Sequence, residues 1–280
     1  MSRTPKARAL GNAIRQARED QGLSLRAFGA RISRNIGQIS RWENGEHTPK
    51  PEHVAQMLTA LGIKGERFDT IIKLARGADE ARWVATTLPE QAQQLAALVD
   101  CEKNATRIVD VSPLIMPGLL QTESYIRAVM ETGDVPLSEL PDRVATRVGR
   151  REILNPPNPV RLIALIGEGA LRQVIQSRDI LVEQLRYLFS FTTWPNVEIR
   201  IIPLSRGWHP ALEGPFMLIE SRESGPVVHL ENRRSGLFLH DKADVCSYQE
   251  AVDKVLDVAI DTEESTRLIA SVVNRLESLR

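Results

Sequence analysis

Apolar positions in the first 76 residues recur at three- and four-residue spacing, the period of a helix face, and polar punctuation cuts them into five runs. Leu10, Ile14 and Ala17 form the first, which stops at Gly22, a residue that tolerates the positive φ of a helix end. Ser24 is placed to cap the second, with Leu25, Phe28 and Ile32 inward and Gly29 where a neighbouring helix can come close. After a tight turn through Ser33 and Arg34, Asn35 caps a third helix whose Ile39 and Trp42, three apart, share a buried face. Gly45 ends it. Beyond the loop GEHTPKP, two amphipathic helices follow over residues 51–61 and 66–75, carrying Val54, Met57, Leu58 and Leu61, then Phe68, Ile71, Ile72 and Leu74.

From Ala78 to Leu154 the pattern reads as helical, opened by Trp83. One helix passes through Leu95, Leu98 and Val99; after a turn at Pro117-Gly118, another capped by Thr122 carries Tyr125, Ile126 and Val129. Arg143, Arg147 and Arg150 or Arg151 then fall on one helical stripe. The last third changes period. PVRLIALIGEGAL and NVEIRIIPL are short runs rich in Val and Ile, separated by a helix through Leu181, Leu185, Leu188 and Phe189, and strand-helix-strand order implies parallel pairing. GPFMLIE, PVVHLEN and GLFLHD read as shorter strands. A helical region from Tyr248 to Arg280 closes the chain with Val252, Val255, Leu256, Leu268 and Val272 inward. The predicted class is α+β overall: an all-α five-helix domain, a helical segment, and a mixed α/β sheet domain with a C-terminal helical region.

The 280 residues are 42% hydrophobic and 26% charged, an ordinary globular composition with room for two or three modules. Cys101 and Cys246 are the two cysteines, far apart and without a CxxC or Cys/His cluster, so neither a disulfide framework nor a zinc site is expected. No apolar run reaches the roughly 18–20 residues of a spanning helix, and MSRTPKARALG lacks the apolar core of a signal peptide. A reducing cytoplasm and no membrane association are the expectation. The formal net charge of zero conceals a division. Residues 1–76 hold 14 Lys+Arg against 7 Asp+Glu, leaving 22 against 29 of the 36 of each for the remainder. A basic front attracts a polyanion, because neutralised phosphates release condensed counterions.

That division gives meaning to the third helix. With Ile39 and Trp42 turned inward, Ile36, Gly37, Gln38 and Arg41 lie near its N-terminal outer surface, the part that a helix-turn-helix protein inserts into the DNA major groove. Gln can pair bidentately with adenine and Arg with guanine, while Ile36 can pack on a thymine methyl. Gly37, about 0.8–1 kcal/mol worse than Ala in a helix, reads as room for close approach to DNA. Arg26, Arg34, Asn35 and Lys50 lie on flanking segments suited to phosphates. A solvated polar helix on an all-helical scaffold is the competing reading.

The remainder offers less chemistry. The arginine stripe fits a solvated, salt-bridged face or a docking surface. Glu168, His209, Glu213, His229, Glu231, His240 and Asp241 are the polar candidates, and His229-x-Glu231 would share one strand face, but no third ligand stands at a recognised metal spacing. There is no Walker loop, GxGxxG, GxSxG or Cys/His arrangement, so neither cofactor nor catalysis is expected.

Two resemblances add to this reading. GLSLRAFGARI followed by QISRWENGEHTPKP, within residues 10–74, resembles the five-helix repressor-type domain of the XRE family of transcriptional regulators, with Ser33 departing from the usual glycine of the turn. PGLLQTESYIRAVM, RVATRVGRREIL, GEGALRQ, NVEIRIIPLSRGWHPALEGPFMLIE and PVVHLEN, in that order, resemble large actinobacterial regulators related to the sporulation protein WhiJ, some of them antitoxin-like. The resemblance implies an XRE-type helix-turn-helix DNA-binding domain over residues 1–76. It further implies a regulatory part made of a helical connecting segment, 77–155, and an α/β partner-binding domain, 156–280. It implies binding of double-stranded DNA as a cytoplasmic, nucleoid-associated homodimer controlled by a small acidic or BldB-like partner protein. Docking is expected first at Gly207-Trp208-His209-Pro210, where Trp208 is either an exposed anchor or a lid folded onto the core, and next at Glu168, Glu231, Arg143 and Arg147. A metabolite-sensing regulator and a regulator fused to an enzyme are the alternatives.

Overall fold

The computed structural model describes residues 4–80, 82–85, 87–133, 135–232 and 235–278. In chain order its elements are α1 (Pro5–Glu19), α2 (Leu25–Arg31), α3 (Ile36–Glu43), α4 (Pro51–Ala60), α5 (Gly65–Ala75), β1 (Arg82–Ala85), α6 (Leu88–Lys103) and β2 (Ala105–Ser112). Then come α7 (Glu123–Thr132), α8 (Leu140–Arg150), β3 (Arg161–Gly167), α9 (Arg178–Ser190), β4 (Val197–Ile202), β5 (Phe216–Ser221), β6 (Val227–Asn232), β7 (Ser235–Leu239), α10 (Lys242–Val258) and α11 (Thr262–Ser278). The class is α+β: five helices first, then helices with parallel and antiparallel strands. The chain forms two compact units, Met1–Asn104 with Ser221–Val245 and Ala105–Glu220 with Cys246–Arg280.

The first unit holds the five predicted helices around Leu10, Ile14, Phe28, Ile39, Trp42, Val54, Met57, Leu58, Ile71 and Leu74, all buried. Leu25 and Ile32 are only half-buried. Two features seat α3 on α1. A Cβ on Gly11 would lie 2.5 Å from the Glu43 carbonyl oxygen and 2.6 Å from that of Trp42, so only glycine permits this approach. Arg18, from α1, donates through Nε to Glu43 Oε1 at 2.7 Å and through Nη2 to Oε2 at 2.8 Å, with Nη1 on the Leu23 carbonyl at 2.6 Å. These bonds offset the desolvation of the buried pair and raise the Arg18 pKa above its ordinary value.

The same unit contains strands. β1 pairs antiparallel with β7, and β7 with β6. Trp83 on β1 stacks on Phe238 of β7 at 5.8 Å, and buried Gln94 of α6 donates to the Trp83 carbonyl at 2.7 Å. The stretch 77–155, expected to be helical, therefore includes β1 and β2 besides α6, α7 and α8. Trp83 belongs to a strand, and Leu95 on α6 points outward while Leu98 is buried.

In the second unit β2, β3 and β4 are parallel, with Ile108 opposite Leu162 and Ala164 opposite Ile199, and β5 neighbours β2 on its other side. α9 connects β3 to β4, as the strand-helix-strand pattern predicts. Leu162 through Ile166 are all buried, as expected where a parallel sheet is covered on both faces. The α9 residue Gln184, itself buried, accepts from Thr122 N and donates to the Leu120 carbonyl, each at 2.7 Å, tying down the start of α7. Ser265 of α11 accepts from Ile201 N at 2.9 Å, holding the closing helices to β4. Val252, Val255 and Val272 are buried, while Leu256 and Leu268 are half-buried and Ile269 takes the innermost position. Leu279 and Arg280 lie outside the described residues.

Candidate nucleic-acid interface

The chain reaches the outer helix α3 through a tight turn. Ser24 caps α2 by accepting from Ala27 N at 3.1 Å, and Arg34 N returns to the Gly29 carbonyl at 2.9 Å. A Cβ on Gly29 would sit 3.0 Å from the Arg34 carbonyl oxygen and 3.4 Å from Ile39 Cδ1, which is why α2 and α3 come so close. Ser33 occupies the left-handed region at φ 51°, a conformation costing an L-residue about 1–2 kcal/mol. The serine thus performs the glycine's turn under strain. Asn35 then caps α3, its Oδ1 accepting from Gly37 N at 2.8 Å. A Cβ on Gly37 would lie 3.1 Å from that same oxygen. The cap therefore gives Gly37 a reason inside the helix as well as on its surface.

Ile39 and Trp42 anchor α3, and the opposite side is open. Ile36 is 44% exposed, Arg41 is exposed, and Gly37 and Gln38 are half-exposed. Gln38 and Arg41 border a cleft of about 370 Å³ with His47, Thr48, Lys50 and His53, floored by Trp42. His53 stacks on Trp42 at 5.9 Å between ring centroids and 27° between planes. Pro51 at the first position of α4 turns the loop back toward α3. Lys50, exposed, is the N-cap residue of α4 and makes no side-chain capping bond there. Arg26 is exposed on α2 and Arg34 half-buried in the turn. Sequence reasoning named Gln38, Arg41 and Lys50 and missed His47, Thr48 and His53. The signal was the proline-spaced loop THR-PRO-LYS-PRO, which has to fold against the helix it follows. Chemically the cleft presents an amide, a guanidinium, an ammonium, two imidazoles and a hydroxyl, a donor-rich surface suited to base edges and phosphates.

The remaining candidates divide between the units. In the second, Glu168 follows β3 and accepts from Arg172 Nη2 at 2.9 Å and from Leu204 N at 3.2 Å. The Arg172 bond is the main reason its carboxyl is held below the ordinary range. This joins Glu168 to the loop carrying Trp208, which is 69% exposed and so does not fold back as a lid on the core. Next to it His209 is buried, with Nδ1 lacking a partner among the described residues and its pKa lowered by desolvation. On α8, Arg143 pairs with Glu139 at 2.7 Å, and Arg147 is half-buried. The stripe does not stay on one surface: Arg150 is buried, and Arg151 donates to Tyr187 Oη at 2.9 Å and to the Gln121 carbonyl at 2.6 Å. Glu231 lies in the first unit, exposed at the end of β6, while His229 is buried against Phe238 at 4.6 Å. Their burial differs although they are two apart, because β6 leaves the core after Leu230.

Among the described residues, no group of three His, Cys, Asp or Glu side chains could hold a metal ion, and no helix is long and apolar enough to cross a membrane. Residues 9–71 match the family described as a helix-turn-helix domain, which covers α2, the turn and α3. Residues 95–271 match the family described as a domain of unknown function, DUF5753. Comparison with curated proteins gives no significant match. The second match takes in more than half of the 280 residues, and the chain therefore belongs to the DUF5753 family, as a DNA-binding regulator carrying a helix-turn-helix domain.

Proposed function

We propose that this chain is a transcriptional regulator of the XRE type, related to the actinobacterial WhiJ-like and antitoxin-like regulators, that places α3 in the DNA major groove. Gln38 and Arg41 read base edges, Ile36 meets a thymine methyl, and Gly37 lets the helix start approach. Arg26, Arg34, Asn35 and Lys50 hold phosphates. The observation that carries this reading is the division of α3 itself, with Ile39 and Trp42 locked inside and the four reading positions on the open side beside a donor-rich cleft. Two copies bind half-sites about one helical turn, roughly 34–36 Å, apart, and the protein resides in the cytoplasm, on the nucleoid when bound.

The second unit regulates. A small acidic or BldB-like partner docks on the second unit where Leu204, Trp208 and Leu212 stand exposed on the loop after β4, with Glu168 bonded to that loop and Arg143 and Arg147 on α8; Glu231, on the first unit, is a separate candidate contact. Exposed apolar side chains grouped on one loop mark interaction sites. The partner's differential affinity for two arrangements of the heads provides the switch. Footprinting of the full chain on its own upstream region, with and without the partner, tests both parts. Protection of two half-sites that is lost in Gln38→Ala/Arg41→Ala supports the reading, and an unchanged footprint and affinity at saturating partner sinks the regulatory half.

A further inference from the structure

The segment after α5 carries two carboxylates, Asp79 and Glu80, and the first unit folds them against the loop that precedes α4. The Thr48 hydroxyl donates to Asp79 Oδ1. Thr48, Lys50, Asp79 and Glu80 line one cleft of about 330 Å³, and Thr48 and Lys50 also line the cleft beside Gln38 and Arg41. The segment is held in place from α1: Lys6 Nζ donates to the Arg76 carbonyl at 2.7 Å and Thr4 Oγ1 to the Ala78 carbonyl at 2.6 Å. Glu80 N closes a turn on the Gly77 carbonyl at 3.1 Å. The acidic strap is therefore fixed at several points and does not merely hang near the interface.

A hydroxyl and an ammonium side by side on a loop flanking a groove-reading helix are the donors that a DNA phosphate takes. Here an anionic oxygen of the chain itself occupies the hydroxyl, and a second carboxylate lines the cleft that holds the ammonium. We propose that the strap, through Asp79, competes with a DNA phosphate for Thr48 and Lys50, so that the head in this arrangement binds DNA below its full strength until the strap shifts. The inference rests on the reading of α3 as the groove-reading helix and adds a self-contained restraint to it. No protein partner is needed for the competition, because the competing group belongs to the unit that binds.

The test uses the full chain and a labelled random-sequence duplex, followed by fluorescence anisotropy over a range of salt concentrations, since phosphate contacts dominate non-specific binding. Asp79→Asn removes the charge and leaves the Thr48 hydroxyl on a weaker, neutral acceptor that a phosphate can displace. Relieving the repulsion of a unit charge about 4 Å away in water corresponds to about fivefold tighter binding. The salt dependence should steepen by about 0.9 in log affinity against log salt for each phosphate newly engaged. Adding Thr48→Val to Asp79→Asn should cancel most of the gain, and thermal melting should match the wild type, so that an altered fold does not account for the change. Equal affinity and equal salt slope for wild type and Asp79→Asn would overturn the restraint while leaving the DNA reading intact. Failure of both proteins to bind the duplex at low salt would overturn the reading of α3, and the restraint with it.

Discussion

The Arg18–Glu43 pair is the tie that sets the angle of α3 on α1, and Glu43→Gln is the smallest change that breaks it. Both side chains are nearly closed to solvent, at 8% and 2% exposure, so the guanidinium cannot replace the lost carboxylate with water. Removing one partner of a buried pair costs about 3–5 kcal/mol. The lower end applies, because Arg18 keeps the Leu23 carbonyl at 2.6 Å and the half-exposed Glu19 carboxylate at 3.1 Å. A loss of about 3 kcal/mol, at roughly 3–4 °C per kcal/mol for a unit of this size, lowers its melting midpoint by about 10 °C. Urea unfolding followed by circular dichroism measures the energy, and the cycle is completed with Arg18→Met and the double change Arg18→Met/Glu43→Leu. The double variant should be more stable than Glu43→Gln, since an apolar replacement leaves no buried charge unpaired. A cost below about 1 kcal/mol for Glu43→Gln, or a double variant as unstable as the sum of the single changes, would refute the claim that the pair is buried and coupled.

Ser33→Gly should raise stability by about 0.5–1 kcal/mol, because glycine enters the left-handed region without the Cβ penalty and loses part of that gain to unfolded-state entropy; an unchanged or lower melting midpoint contradicts the strained turn. Trp208→Ser should leave the melting midpoint within about 0.5 kcal/mol of wild type while abolishing partner capture, and a large destabilisation would place the indole in the core after all. Burial lowers the pKa values of His209 and His240. Their unfolded forms therefore take up protons first, and stability should be flat above pH of about 6.5 and fall as the pH drops below that value. Measured above the range where Glu168 and Asp244, both held below their ordinary values, begin to protonate, this acid arm should flatten in His209→Asn. An identical arm would show that His209 is not involved.

The five helices of the head were legible in the sequence because each combines a helical apolar stripe with local punctuation, Ser24 and Asn35 as caps and Gly45 as a stop. The parallel strands were legible for two reasons: β3, buried on both faces, leaves the continuous apolar run 162–166, and β4, at the sheet edge, alternates Val197, Ile199 and Ile201 with half-buried Glu198 and Arg200 at the period of a strand. β1 and β2 were not. β1 is four residues long, and Trp83 is buried by a partner strand more than 150 positions later in the chain, a pairing that no local pattern announces. β2 hides Asp110 in its buried half, satisfied by Ser112 Oγ at 2.6 Å, and Arg107 paired with Glu220 at 2.8 Å; the polar residues break the apolar run that would mark a strand. In the candidate interface, spacing alone located Gln38 and Arg41 on the open side of α3. His47, Thr48 and His53 join them only through the fold of the loop onto Trp42, and Asp79 only through the strap tied to α1, so neither could be read from spacing.

The most direct test of the central claim is DNA binding by the full chain on its own upstream region against a random duplex, for wild type and for Gln38→Ala/Arg41→Ala. The account predicts a sequence-specific complex in the wild type. In the double variant, with about 1–3 kcal/mol lost at each base-reading residue, affinity for the specific site should fall toward the random-sequence level while binding to the random duplex persists. Retention of full sequence discrimination by the double variant would contradict the assignment of α3 as the reading helix.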